Sequence, residues 1–201
     1  RLVGTRPDMG AFETAVNDSV HLDVTNTNSS GAGSLAQAIA ALNQNTGARK
    51  IRFNIPGACP RTITLNQTLT LTEGVDLLGD TQPGTQPSTW ANGYNGVPCI
   101  ILRAGTGVAD GLVFDSPDQA DRLRLNYLAF SGFTGTAVSV RSSRGHLITG
   151  NRFGGSVAGT ALLPVGVAIG VEGTATDVQI GGPDPAQTNL IGRAGIGVRL
   201  G

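Results

Sequence analysis

Four ionisable side chains fall at matched places in the second half of this 201-residue chain. Aligning on a glycine sets Gly111-Leu-Val-Phe-Asp-Ser over Gly135-Thr-Ala-Val-Ser-Val, Gly166-Val-Ala-Ile-Gly-Val and Gly195-Ile-Gly-Val-Arg-Leu. The fourth residue after each glycine is then Asp115, Ser139, Gly170 or Arg199, and the sixth includes Arg141 and Glu172. Charged side chains stacked at one phase of a repeat can act together on a ligand, so Asp115, Arg141, Glu172 and Arg199 are the catalytic candidates. The plainer reading is that Arg141 and Glu172 form a surface ion pair worth under ~1 kcal/mol. Glycoside hydrolysis would instead need two carboxyls about 5 to 9.5 Å apart. Asp115, Asp118 and Asp121 do cluster, but in a Ser-Pro-Asp-Gln-Ala-Asp turn where solvated acids are expected. His146, in Gly145-His146-Leu147, reads as structural rather than as a general base.

Two further pairs could carry function. Trp90, the only tryptophan, and Tyr94 lie in one long loop from Asp80 to Gly96. Exposed on a rigid scaffold they would stack on sugar rings; folded under the loop they would shield an edge of the core. Cys59 and Cys99 both sit beside prolines, and no His or further Cys near them makes a zinc pattern. A disulfide between them would contribute about 3–4 kcal/mol through the unfolded state and place the chain in an oxidising compartment; two buried thiols are the alternative. No metal site is read from the sequence, and no phosphate-cradling glycine loop precedes a helix.

The elements that must position these residues are mostly short strands. Thirty glycines, one lysine and a charged fraction of 14% argue against a helical bundle. With 39% hydrophobic residues the chain can bury a core of small and β-branched side chains. Net charge is zero and the arginines are scattered singly, which removes the electrostatic footprint of a nucleic-acid binder. The longest apolar run, Ala161 to Val171, is broken by Pro164 and two glycines and falls short of the ~18 residues of a membrane span. One segment is helical in pattern: Ser34 is a fair N-cap, Leu35, Ala38, Ile39 and Leu42 follow at i, i+3, i+4 and i+7, and Asn45-Thr46-Gly47 stops it. Elsewhere strands of three to six residues alternate between turns: 51–55, 62–65, 75–78, 100–102, 112–114 and 123–125, with strand-like pieces at 147–153 and 178–182.

Recurrence decides among all-β architectures. The four aligned glycines are 24, 31 and 29 residues apart, and each copy puts apolar or β-branched residues at the same phase. Such a period predicts stacked coils of a parallel β-helix, with the amphipathic helix capping its N-terminal end. Val113, Ala137, Ala168, Gly170 and Gly197 would then form a smooth outer face. Asn126, Asn151 and Asn189 are expected to hydrogen-bond inside coil corners.

Three stretches, Val24–Ile39 (VTNTNSSGAGSLAQAI), Ile51–Gly57 (IRFNIPG) and Gly79–Gly84 (GDTQPG), resemble the opening of bacterial right-handed parallel β-helix repeat proteins of the pectin-lyase-like superfamily. Ile148–Phe153 (ITGNRF) and Ile180–Pro183 (IGGP) resemble their later coils, and Arg6–Glu13 (RPDMGAFE) resembles a motif that ends such a unit. The resemblance implies an all-β, right-handed parallel β-helix solenoid over residues 20–201 with one short N-terminal capping helix. It also implies that residues 1–19 are a tail or the remnant of a preceding unit, and that the solenoid is truncated at its C-terminus. Lyases, hydrolases, epimerases and adhesive scaffolds share this fold, so it does not choose the chemistry. The expectation is a secreted or cell-surface domain directed at polysaccharide or a cell-surface glycan, binding without turnover and free to self-associate through its open end. The alternative is a polysaccharide lyase or glycoside hydrolase working on the outer face of one sheet. A lyase of this superfamily would use Arg or Lys as base, with carboxylates or Ca²⁺ neutralising the uronate; otherwise no cofactor is expected.

Overall fold

A computed structural model describes residues 21–44, 49–90 and 94–201. The expectations for residues 1–19 and for the helix stop at 45–47 lie outside them. The fold is all-β with one α-helix. The chain enters through β1 (His21–Val24), forms helix α1 (Leu35–Leu42), and then visits three sheets in turn. The first circuit is β2 (Lys50–Phe53), β3 (Arg61–Leu65) and β4 (Leu69–Leu71); the second is β5 (Val75–Leu78), β6 (Ile100–Ala104) and β7 (Leu112–Phe114). The third is β8 (Leu123–Asn126), β9 (Leu128–Ser131) and β10 (Thr136–Val140). The fourth is β11 (Arg144–Thr149) and β12 (Arg152–Phe153), then a hairpin of β13 (Gly155–Val157) and β14 (Thr160–Leu162), then β15 (Val165–Val171). The fifth is β16 (Thr176–Ile180), β17 (Leu190–Ile191) and β18 (Ala194–Leu200).

Like strands of successive circuits pair in parallel. Sheet A runs β1-β2-β5-β8-β11-β16, sheet B runs β3-β6-β9-β12-β17, and sheet C runs β4-β7-β10-β15-β18. Only the β13–β14 hairpin is antiparallel among the named strand pairs. Three parallel sheets filled one strand per circuit are consistent with a β-helix solenoid. Alternation along each strand drives this arrangement: Ile51 and Phe53, Ile63 and Leu65, Val75 and Leu77, Leu112 and Phe114, and Val138 and Val140 all bury in one cluster. Partners at one register position stack like with like, as in Leu71–Phe114–Val140–Val171 across sheet C. In sheet B, Phe130 pairs with Phe153 and their rings stack at 4.9 Å.

The helix starts where the sequence places it. Ser34 Oγ accepts from the Gln37 N–H at 3.2 Å, and the Gln37 side chain accepts from the Gly33 N–H at 3.0 Å. Leu35, Ala38, Ile39 and Leu42 join the core. Asn43 ties the helix end to the edge strand β4, donating to the Thr70 carbonyl and accepting from the Thr72 N–H. At the other edge Ile196, Val198 and Leu200 of β18 are exposed.

The glycine alignment fails at one place. Leu112 pairs with Val138 and Phe114 with Val140, two residues on from where matching Gly111 to Gly135 would put them. A slip of two keeps every side chain on its own face, so alternation alone cannot exclude it. Gly111 fixes the observed register, because a Cβ there would stand 2.4 Å from the Ala137 carbonyl oxygen. Asp110 Oδ1 also accepts the Thr136 N–H at 2.7 Å.

Candidate functional site

On sheet C the structure brings three of the four aligned ionisable residues together. Glu172 lies between two guanidinium groups: one carboxylate oxygen bonds Arg199 Nη2, and the other is 3.7 Å from Arg141 Nε. Arg199 also reaches Thr136 Oγ1 at 3.3 Å and Arg141 reaches Ser139 Oγ at 3.3 Å, so the network ties β10, β15 and β18 at their ends. Asp115 directly follows Phe114 and therefore sits beside Arg141 rather than Ser139, exposed and without an ion pair to it among the described residues. The smooth outer face expected beside this cluster is not open. Val113, Ala137, Ala168 and Gly170 are buried, and a Cβ on Gly111 would lie 3.2 Å from the Phe133 ring. Small side chains let the β9–β10 link close down over the sheet, which a sequence pattern of outward small residues does not reveal.

The long loop joining β5 to β6 separates its two aromatics. Trp90 is 50% exposed and left-handed at φ 57°, and its Nε1 donates to Thr188 Oγ1 at 3.1 Å, in the link before β17. Tyr94 turns inward, its ring 5.0 Å from the Arg152 guanidinium, and burial pushes its phenol above the ordinary value. Its hydroxyl and Arg152 Nε are buried with no hydrogen-bond partner. Tyr127 lies beside it, donating to the Ala186 carbonyl at 2.5 Å. Burial, with Asp80, Tyr94 and Asp184 adding to it, pushes the Tyr127 phenol up to about 12, so it remains a donor. Asn95 holds the loop's own shape, accepting from the Thr89 N–H at 2.8 Å and from Ser88 Oγ at 3.1 Å. Cys59 and Cys99 form the disulfide and anchor the loop's far end to the β2–β3 link.

No family model, curated protein or solved structure matches this chain. Among the described residues no helix is long and apolar enough to cross a membrane, and no group of three or more His, Cys, Asp or Glu residues is placed to hold a metal ion.

Two polar elements hold the scaffold beneath these sites. Asn151 is fully buried at the corner between β11 and β12, where its Oδ1 accepts the Leu128 N–H and its Nδ2 donates to the Leu125 and Thr149 carbonyls, each at 3.0 Å. Asn189 continues the corner ladder, its Oδ1 accepting the Asn151 N–H at 2.9 Å. Asn126 does not join it, since its Oδ1 is buried without a partner. His146 is buried edge-on against Phe114; Nδ1 accepts the Leu123 N–H at 3.1 Å, so Nε2 carries the proton and donates to the Ser142 carbonyl at 3.0 Å. Both ring nitrogens are used, and neither is offered to a substrate.

Burial lowers the His146 pKa below its ordinary 6.5, against the backbone bonds at Ser143 and Ser142 that raise it. The unfolded chain therefore takes the proton first. Its contribution to stability is complete above about pH 6.5 and is lost as pH falls below that, by up to about 1.4 kcal/mol per pH unit until the folded imidazole also protonates. Urea midpoints measured as a function of pH should show this slope, and His146→Gln should flatten it.

Two clefts lie on sheet A. One, of about 240 Å³, is lined by Arg49, Gly74, Asp76, Asp121 and Arg122. Another, of about 270 Å³, is lined by Arg122, Arg124, Gly145, His146, Leu147, Asp177 and Gln179. Sequence reasoning passed over Arg122 and Arg124, because an isolated arginine in an alternating strand looks like any solvated outer residue.

Proposed function

We propose that this chain is a right-handed parallel β-helix domain of the pectin-lyase-like kind, secreted or held at the cell surface, that binds polysaccharide or a cell-surface glycan without turning it over. Trp90 carries the reading: half exposed, yet held in place by its own hydrogen bond to Thr188 on a loop anchored by a disulfide. An aromatic face ordered in advance stacks on a sugar ring without first losing its freedom. Binding is favoured over turnover because the Glu172 carboxylate is bonded by Arg199 and ion-paired with Arg141, which leaves Asp115 as a single exposed acid with no second free carboxyl beside it in that network. The disulfide suits an oxidising compartment. Self-association belongs to the same reading, through the exposed Ile196, Val198 and Leu200 of β18, and sedimentation velocity measures it.

Because Trp90 is the only tryptophan, its emission reports directly on ligand stacking. Titration with a panel of plant and bacterial polysaccharides should give a saturable change in emission for at least one of them. Calorimetry with that polysaccharide should show binding weakened about tenfold or more in Trp90→Ala. Neither unsaturated product nor new reducing ends should accumulate. Turnover that disappears in Arg141→Ala or Asp115→Ala would make the protein a lyase or hydrolase instead. Emission indifferent to every polysaccharide would end the binding reading.

A further inference from the structure

The outer face of sheet A carries a row interrupted by glycine on both sides of one arginine. Val75 pairs with Leu123, so continuing the register one residue back sets Gly74 beside Arg122. Leu147 pairs with Arg124, so two residues back sets Gly145 on the other side of Arg122. Asp177 follows at the next strand, between the paired Arg144–Thr176 and His146–Val178. Neighbouring strands are about 4.8 Å apart, so the missing side chain at Gly145 leaves open space beside Arg122, while the space at Gly74 is taken by the Asp121 carboxylate. Arg122 lines both clefts of sheet A. A Cβ at Gly74 would stand 2.7 Å from Asp121 Oδ1 and would make that carboxylate shift, whereas a Cβ on Gly145 would meet nothing within 4 Å.

The other arginines of the first cleft and the β2 end of this face are already engaged. Arg49 bonds Glu73 at 3.1 Å and lies 3.6 Å from Asp121, and Arg52 reaches the His21 ring at 3.2 Å. The Arg122 carbonyl accepts the Val75 N–H at 2.9 Å, but its guanidinium has no hydrogen bond or ion pair among the described residues. Arg124, two residues along and on the same face, forms a long ion pair with Asp76 at 3.7 Å but no hydrogen bond, so its N–H groups keep capacity for a ligand. The second cleft therefore presents two guanidinium forks, one of them unpaired, with Asp177 in its lining and Asp76 beside Arg124.

We propose that this second cleft binds a phosphate group, with Arg122 and Arg124 as its donors. Two forks offer more N–H groups than one planar carboxylate accepts, and a tetrahedral oxyanion takes them in several directions at once. The group is supplied either as inorganic phosphate or as the ester of a sugar. The site stands apart from the glycan reading: Trp90 is outside the cleft, and Trp90→Ala should leave phosphate binding unchanged.

Calorimetric titration of the whole chain with inorganic phosphate and, separately, with a sugar monophosphate tests it. Saturable binding should weaken about tenfold or more in Arg122→Gln. It should stay within about twofold in Arg144→Gln, which removes one charge nearby without touching the cleft lining. Circular dichroism checks that both variants are folded, as expected for exposed side chains. Tighter binding of the sugar monophosphate would assign the ester, and equal binding would assign the free anion; either supports the site. No saturable binding in either arm, or equal weakening by the two substitutions, would overturn it.

Discussion

Truncating Phe130 to Ala is expected to lower the unfolding free energy by about 3–5 kcal/mol, the usual cost of removing a large aromatic from a packed interior. The ring is fully buried, lies nearly parallel to Phe153 at 4.9 Å, and meets Phe133 at a tilted 6.3 Å. It also occupies the centre of a row, paired with Leu102 on one side and Phe153 on the other. The space it leaves cannot close by backbone collapse, because β9 is held in parallel ladders from β6 and from β12. Most of the cavity cost should therefore remain. Urea unfolding should show a lower midpoint with the slope unchanged, and Phe130→Leu should fall between the two. A loss under ~0.5 kcal/mol, the range of an ordinary surface substitution, would mean that this row does not face the interior.

That row also shows where the sequence was readable and where it was not. Phe130 lies in β9, Leu128–Ser131, in which every residue is buried. Ala129 faces away from the main core and packs with Ile101 under Val157 and Leu162 of the β13–β14 hairpin. β9 is buried at every residue, as β7 and the start of β6 are, but where those are runs of Ile, Leu, Val and Phe its Leu-Ala-Phe-Ser is short and mixed and does not stand out from loop. The strands read at 51–55, 75–78 and 123–125 are legible by their alternation, and β2, β5 and β8 fall on them with one face partly open. Ser34 and the spacing of Leu35, Ala38, Ile39 and Leu42 gave the helix its start and its buried face before any coordinates. The candidate site divides along the same line. Arg141, Glu172 and Arg199 follow from in-strand alignment, which held wherever the register did, and Asp115 moved with the two-residue slip. Trp90 and Tyr94 are close in sequence but face different surroundings, because the loop's path past Arg152 and Thr188 depends on circuits the chain forms much later. Arg122 needed two glycines on other strands to stand out, and only the register supplies them.

Removing the Cys59–Cys99 bond is expected to cost about 4 kcal/mol, the loop-closure entropy for a separation of 40 residues. The loss acts chiefly on the unfolded chain, so the native ladders should persist. β3 and β6 still pair over five positions from Arg61–Ile100 to Leu65–Ala104, and the Arg61 N–H still donates to the Cys99 carbonyl at 2.7 Å. Cys59→Ala, Cys99→Ala and the double variant should therefore lose nearly the same stability, since either substitution alone opens the loop, while keeping the far-ultraviolet spectrum of the parent. Reductant should lower the parent to their level and leave the variants where they are. The consequence for function lies in the loop. With the covalent tether gone, the loop is held by the Gln86–Val97 bridge and the Trp90 bond to Thr188, and Trp90 emission should shift towards that of a freely solvated indole even where the sheets remain intact. A reduced protein with an unchanged Trp90 spectrum would mean that Thr188 and Asn95 hold the loop unaided and that the disulfide serves the scaffold alone. Single variants with the parent's midpoint in the absence of reductant would mean that the bond does not form.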